Sequence, residues 1–356
     1  MTCCHEKLEP KKLDLLIERA ATGPLSRRSL LKGAGSAVGA AGIAAATGGV
    51  ARAQTPVQIA FCSQLLCVVP YEVTRAQNFF LNEGLDVELV YTRGGNAAMQ
   101  ALIGGAVDYA ATSFDVAVQA FVKGGEIRRF ATTGRLPLFA LAVAPGKVGE
   151  IADVKTLEGT TVGISALGNA DHTLMLFLLQ QAGADAATVE FAALGPNLFE
   201  ALRRGQVDAG MVQEPALSLI LAAGGKVLFN AMDIDDATEH LGGPYEFMGV
   251  AVRAAERDER LEEMRKVARG LEAGLKYQRE APIETIRESL PPELLAGGDW
   301  GDFDKIIAQY RGSLYPESVA IDVAACQRVV DSLTLSGVLT EPVDLSVLLD
   351  TEVVPA

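Results

Sequence analysis

Asn96 follows two glycines, Ser113 and Asp115 flank Phe114, and Asn169 closes the run Ser165-Ala166-Leu167-Gly168 just before Asp171 and His172. Cys62-Ser63-Gln64-Leu65-Leu66 and Glu214-Pro215 are two more places where polar groups stand at a break in pattern. Each precedes a helical stretch. A helix start offers free backbone N–H groups and a favourable dipole, so these corners suit a small ligand with an oxyanion, Gly94-Gly95-Asn96 above all. The candidate ligand contacts are Ser63, Gln64, Leu66, Asn96, Ser113, Phe114, Ser165, Gly168, Asn169, His172 and Glu214. Several carry a second reading. Asn96, Ser113 and Asn169 have the residue types that cap helices, and a carboxylate such as Glu214 suits a helix start for dipole reasons alone. Leu65, Leu66 and Phe114 are either core or pocket wall, and His172 is either a contact or a surface histidine.

Bond-breaking chemistry finds little support. No G-x-S-x-G elbow, phosphate loop or zinc spacing occurs, and His172 and His240 are the only histidines after residue 53. The chain is read as a non-enzyme needing no cofactor and no metal. Cys62, Cys67 and Cys326 follow residue 53. The first two are close enough to close a small disulfide loop, or to remain as packed thiols.

Strands and helices alternate behind these corners. The short apolar run Val57–Phe61, the alternating Asp86–Tyr91 and the segment Val107–Thr112 predict strands, and Pro70–Asn82, Ala97–Ile103 and Asp115–Val122 predict helices. The grammar restarts with strands at Thr161–Ile164, Val189–Leu194 and Val207–Val212, with helices at Asp171–Ala182, Asn197–Arg204 and from Pro215. Ala101-Leu102-Ile103-Gly104-Gly105-Ala106-Val107-Asp108 is echoed by Ala201-Leu202-Arg203-Arg204-Gly205-Gln206-Val207-Asp208. One such joint is common; two of them imply two lobes built on one plan. Leu138–Val143 and Phe247–Val252 are the expected crossings between them, and the charged helical remainder from Asp258 is expected to pack on lobe one.

Among 356 residues the formal net charge is -14. Residues 1–53 hold 8 Lys/Arg and 4 Asp/Glu, leaving 23 against 41, or -18, for the rest. So acidic a body is a poor partner for nucleic acid or anionic lipid. Residues 1–53 read as an export signal: Ser26-Arg27-Arg28-Ser29-Leu30-Leu31-Lys32, a Gly/Ala-rich stretch, then Ala51-Arg52-Ala53 as a small-x-small cleavage site. The arginine pair resembles the twin-arginine signal, implying a soluble periplasmic product after cleavage near Ala53.

Taken in order, Phe79–Leu89, Gly104–Asp108 with Ser113, Leu157–Ile164, Gly205–Gly210, Glu214-Pro215 and the helix from Ala268 to Pro282 resemble the nitrate/sulfonate/taurine class of periplasmic solute-binding proteins. The resemblance implies an α/β, type II periplasmic-binding fold with two mixed-sheet lobes and one solute in the cleft. The chain departs from the pattern at Asn78, where the family usually has glycine, and at Gln213, where an aromatic residue commonly precedes the acidic-Pro pair; Gln213 joins the candidate contacts. The expected divisions are signal 1–53, lobe one 54–143, lobe two 144–248 and a return to lobe one over 249–356. The expected role is the solute-binding component of an ABC importer, a monomer working with an inner-membrane permease. Leu65, Leu66, Phe114 and Leu167 beside amide donors suit a small organic sulfonate or carboxylate better than bare nitrate. The alternatives are a neutral or aminated heterocycle, such as a pyrimidine precursor paired to Glu214 or Asp115, a sensor partner, or an enzyme of the same fold.

Overall fold

A computed structural model describes residues 54–62, 65–295 and 300–355. The residues read as an export signal and cleavage site lie outside them, as do Ser63 and Gln64. Two five-stranded sheets form the core. The first has the order β2 (Leu85–Thr92), β1 (Thr55–Cys62), β3 (Tyr109–Ser113), β10 (Met248–Arg253), β4 (Ile127–Thr132). The second has the order β7 (Glu190–Ala193), β6 (Thr161–Ile164), β8 (Ala209–Val212), β5 (Ala140–Val143), β9 (Lys226–Asn230). In each sheet three strands run parallel, and the fourth place is taken by an antiparallel strand entering from the other lobe. Strands covered on both faces must be apolar along their whole length. Tyr109–Ser113 and Ala140–Val143 are accordingly buried at every position.

The repeated octapeptide is one device used twice. Gly105 and Gly205 take positive φ (73° and 66°), ending a helix where a side chain would be strained. Asp108 then accepts the backbone N–H of Gln58 (2.8 Å), and Asp208 accepts that of Thr161 (2.9 Å), each joining a parallel neighbour at its first residues. The strands themselves begin at Tyr109 and Ala209, two residues later than the apolar pattern predicts.

The first helix differs more. It runs Leu65–Ala76 and contains Pro70 instead of starting there. Pro70 has no N–H for the carbonyl of Leu66, the bond a helix needs at that step. The Tyr315 hydroxyl supplies it, donating to that carbonyl at 2.9 Å. The C-terminal helices also reach further than expected. Helix Leu261–Glu280 packs on Leu65–Ala76 of lobe one, whereas Val323–Leu335 touches both Phe114–Val122 of lobe one and Ala170–Gln181 of lobe two.

Arg129 on β4 is wholly buried. Its guanidinium donates to the carbonyls of Thr112 (2.9 Å) and Phe247 (2.8 Å), pairs with Glu246 (3.0 Å) and lies 5.3 Å from the Phe114 ring centroid. Gly249 makes the room, since a Cβ there would stand 2.4 Å from an Arg129 nitrogen. Burial pushes the Glu246 carboxyl up, against the pull of Arg129. Glu246→Ala would strand a guanidinium in the core. It is expected to lose about 3–5 kcal/mol in urea unfolding, and a loss below about 1 kcal/mol would show that the pair is not needed.

Candidate functional site

The strand ends of the two sheets face one another across a narrow cavity. Arg93, Gly94, Gly95, Thr112 and Ser113 of lobe one line it, with Ser165, Asn169 and Asp171 of lobe two. Phe139 and Phe247, the residues just ahead of β5 and β10, meet edge-to-face beside it at 5.8 Å. Cys62, Cys67, Val116 and Met248 add apolar wall. About 40 Å³ is open to the centre of a water molecule, room for a small polar group.

One wall is a helix start. Helix Gly95–Ile103 begins at the cavity, and a Cβ on Gly95 would lie 2.4 Å from the Thr112 hydroxyl oxygen. Glycine here lets the Thr112 hydroxyl approach the first amides of the helix. Among the described residues that buried hydroxyl has no hydrogen-bond partner. A buried polar group left in this way calls for an explanation, and a ligand oxygen at the helix start would supply one. Arg93 adds a cation at the edge.

Polar bridges join the lobes around this space. Asn96 Nδ2 donates to Asn169 Oδ1 (2.7 Å) and Gln119 Nε2 to the Gly168 carbonyl (3.2 Å). Asn169 donates in turn to Ser165 Oγ (3.0 Å), and that hydroxyl donates to Asp171 Oδ1 (2.7 Å). A third bridge runs from Thr173 Oγ1 to Asp115 Oδ2 (3.3 Å).

Of the candidates, Ser113, Ser165 and Asn169 line this cavity. Ser113 and Asn169 stand at helix starts without making a side-chain capping bond. Asn96 and Gly168 meet the opposite lobe. Gln213 and Glu214 border a second space that adjoins the first. Glu214 also holds its own helix, accepting the Ser218 N–H and hydroxyl, both at 3.0 Å. Leu66 and Phe114 are buried in lobe one and line neither space, Phe114 lying against Arg129. His172 Nδ1 accepts the Gly168 N–H (3.1 Å) and its ring packs on Phe191 at 4.8 Å. Burial lowers its pKa, and it too stays off the cavity wall. Leu167 is 64% exposed. Cys62 and Cys67 are buried thiols in hydrogen-bond contact, not a disulfide. Arg93, Thr112, Val116, Phe139, Phe247 and Met248 are wall residues that the sequence reading missed. Arg93 could have been found beside the glycine pair; membership of the crossing runs Leu138–Val143 and Phe247–Val252 was the only signal for the two rings.

Residues 68–285 match the sequence profile of the NMT1/THI5-like family. No curated protein sequence matches the chain. Among solved structures, a protein of Bordetella bronchiseptica superposes with a TM-score of 0.75 at 23% identity, covering 84% of this chain and 96% of that one. The periplasmic aliphatic sulphonate-binding protein of Escherichia coli gives 0.61 at 18% identity, covering 82% and 96%. The periplasmic nitrate-binding protein of Synechocystis PCC 6803 gives 0.67 at 11%, covering 84% and 87%. The fold is thus that of periplasmic solute-binding proteins. No helix among the described residues is long and apolar enough to cross a membrane.

Asp115 yields a prediction. Burial raises its carboxyl to about 6, while hydrogen bonds from Ser113 and Thr173 pull the other way, and its Oδ1 has no partner. A raised acid favours the folded protein most at low pH, below its unfolded value of about 3.9, and that contribution is lost as pH rises through about 6. Asp115→Asn should therefore stabilise by about 2 kcal/mol at pH 8 and by little at pH 4 in paired urea melts. Equal destabilisation at both pH values would refute this account.

Proposed function

We propose that this chain, which belongs to the NMT1/THI5-like family and has the type II periplasmic-binding fold, is the solute-binding component of an ABC importer. It captures a small organic anion, a sulfonate or carboxylate, between its lobes and passes it to a membrane permease. The observation that carries the reading is the partnerless Thr112 hydroxyl, buried in the cavity wall against the first residues of helix Gly95–Ile103, with Arg93 beside it. Such a cluster of donors suits an oxyanion, and the Asp171 carboxyl in the same wall is already taken up by the Ser165 N–H and hydroxyl. Ligand contacts shared between lobes favour the closed arrangement through differential affinity, so hinge closure accompanies capture. The export signal, periplasmic residence and a monomeric state belong to the same proposal.

A second reading has one observation in its favour. The Asp171 carboxyl lies in the cavity wall beside the Phe139 and Phe247 rings, which suits an aminated heterocycle. Native mass spectrometry of the exported protein, purified without refolding, separates the two. A one-to-one adduct of sulfonate or carboxylate mass is expected; a heterocycle adduct would replace the anion by the second reading. Thr112→Val should weaken anion binding about tenfold in calorimetry. It should leave the unfolding midpoint in place, because the hydroxyl has no bond to lose. Unchanged affinity would remove Thr112 from the site.

A further inference from the structure

One bond across the seam between the lobes is short of a proton. Thr173 of lobe two faces Asp115 of lobe one, its Oγ1 lying 3.3 Å from Asp115 Oδ2 and 3.1 Å from the Ala170 carbonyl oxygen. A hydroxyl has a single proton to give, and two acceptors claim this one. Asp115 is 2% exposed, and its Oδ1 has no partner among the described residues. As a carboxylate it leaves the seam one donor short. As a neutral acid it donates to Thr173 Oγ1, which donates on to Ala170, and the chain of bonds is complete. The groups facing this corner from neighbouring elements supply no free cation. Arg129 of β4 is committed to Glu246 and to backbone carbonyls, and Asp171 of helix Ala170–Gln181 is held by Ser165. Helix Gly95–Ile103 carries no ionisable group. Tyr245, ahead of β10, is close enough to feel the Asp115 charge, and its hydroxyl bonds with that of Ser332 on helix Val323–Leu335. Burial keeps Tyr245, and Cys326 of that helix, in their neutral forms.

We propose that Asp115 is a proton-operated catch: its neutral carboxyl lets the lobes close on each other, and its carboxylate drives them apart. This rests on the hinge closure proposed above and makes a proton a second ligand of the closed state. Opening returns Asp115 to water, where an aspartate has its ordinary value of about 3.9. In the closed seam, burial holds it near 6. A raised acid favours closure at low pH, and the advantage is lost as pH rises through that value. The closed-to-open ratio should be about tenfold higher at pH 5 than at pH 8. Solute is then held more firmly in acid and given up more easily towards neutral pH, whatever its own charge.

Pulsed electron paramagnetic resonance on the exported protein, dialysed free of ligand, tests this without knowledge of the solute. Spin labels on Ala106→Cys and Gln206→Cys occupy matching exposed positions of the repeated octapeptide, one in each lobe. Cys62, Cys67 and Cys326 are buried and should stay unlabelled. Between pH 8 and pH 5 the ratio of closed to open separations should rise by about tenfold. Asp115→Asn, whose amide can donate to Thr173 as the neutral acid does, should give one ratio at both pH values. A closed share in the parent chain that is the same at pH 5 and pH 8, zero included, would overturn the catch alone. A pH response that survives in Asp115→Asn would overturn it as well. A single closed separation at both pH values would overturn the catch and the hinge together.

Discussion

A single buried guanidinium decides how the two lobes can be joined. Arg129 sits on the outer strand of the first sheet, yet its hydrogen bonds go to Thr112 on β3 and to Glu246 and Phe247 on the segment returning from lobe two. Removing that charge from water costs several kcal/mol, which close acceptors must offset. The acceptors of its two terminal nitrogens come together only when the return segment lies beside β3 and β4, with Gly249 against the guanidinium, while its Nε has none. Thr112 and Phe247, both cavity residues, hang from the same bonds. The geometry of the cleft is thus tied to a charge that does not line it.

The two lobes meet through polar groups, although each is apolar within. Asn96 with Asn169, Gln119 with the Gly168 carbonyl, and Thr173 with Asp115 are bonds that water would replace in the hinge motion proposed above. An apolar seam of the same extent would hold the lobes together without a ligand. Asp115 works in the same direction, because its unpartnered oxygen makes the closed contact less favourable at neutral pH. Helix Val323–Leu335 packs on both lobes, so the proposed motion would have to carry it along or break one of its two contacts.

The legible features of the sequence are the ones governed by neighbours in the chain. Gly105 and Gly205 need positive φ, Asp108 and Asp208 close the joint three residues on, and both show directly as a repeated octapeptide. The doubled plan and the crossing runs follow from that repeat. Ser113, Ser165 and Asn169 were readable as cavity residues because strand ends and helix starts define the cleft in this architecture. Leu66 and Phe114 show where this reasoning fails: position at a corner says nothing about which way a side chain turns, and Arg129 draws the Phe114 ring inward. Thr112 is hidden for the opposite reason. It sits inside a strand, and its place at the cavity depends on a glycine in another element. The start of the first helix was misplaced because the hydroxyl that completes it comes from Tyr315, far along the chain.

The order of the first sheet has a consequence for the chain as it is made. β4 pairs only with β10 inside that sheet, and its other side meets Leu349 and the Asp350 N–H. Both partners are synthesised more than a hundred residues after β4. Until they arrive, β3 and β4 are open edges and Arg129 has lost two of its acceptors, so a nascent chain has no finished first lobe to rest on. Lobe two, by contrast, has all five strands between Ala140 and Asn230. The middle of the chain is therefore the part whose sheet can be completed first, and the first lobe must wait for the strand that comes after it.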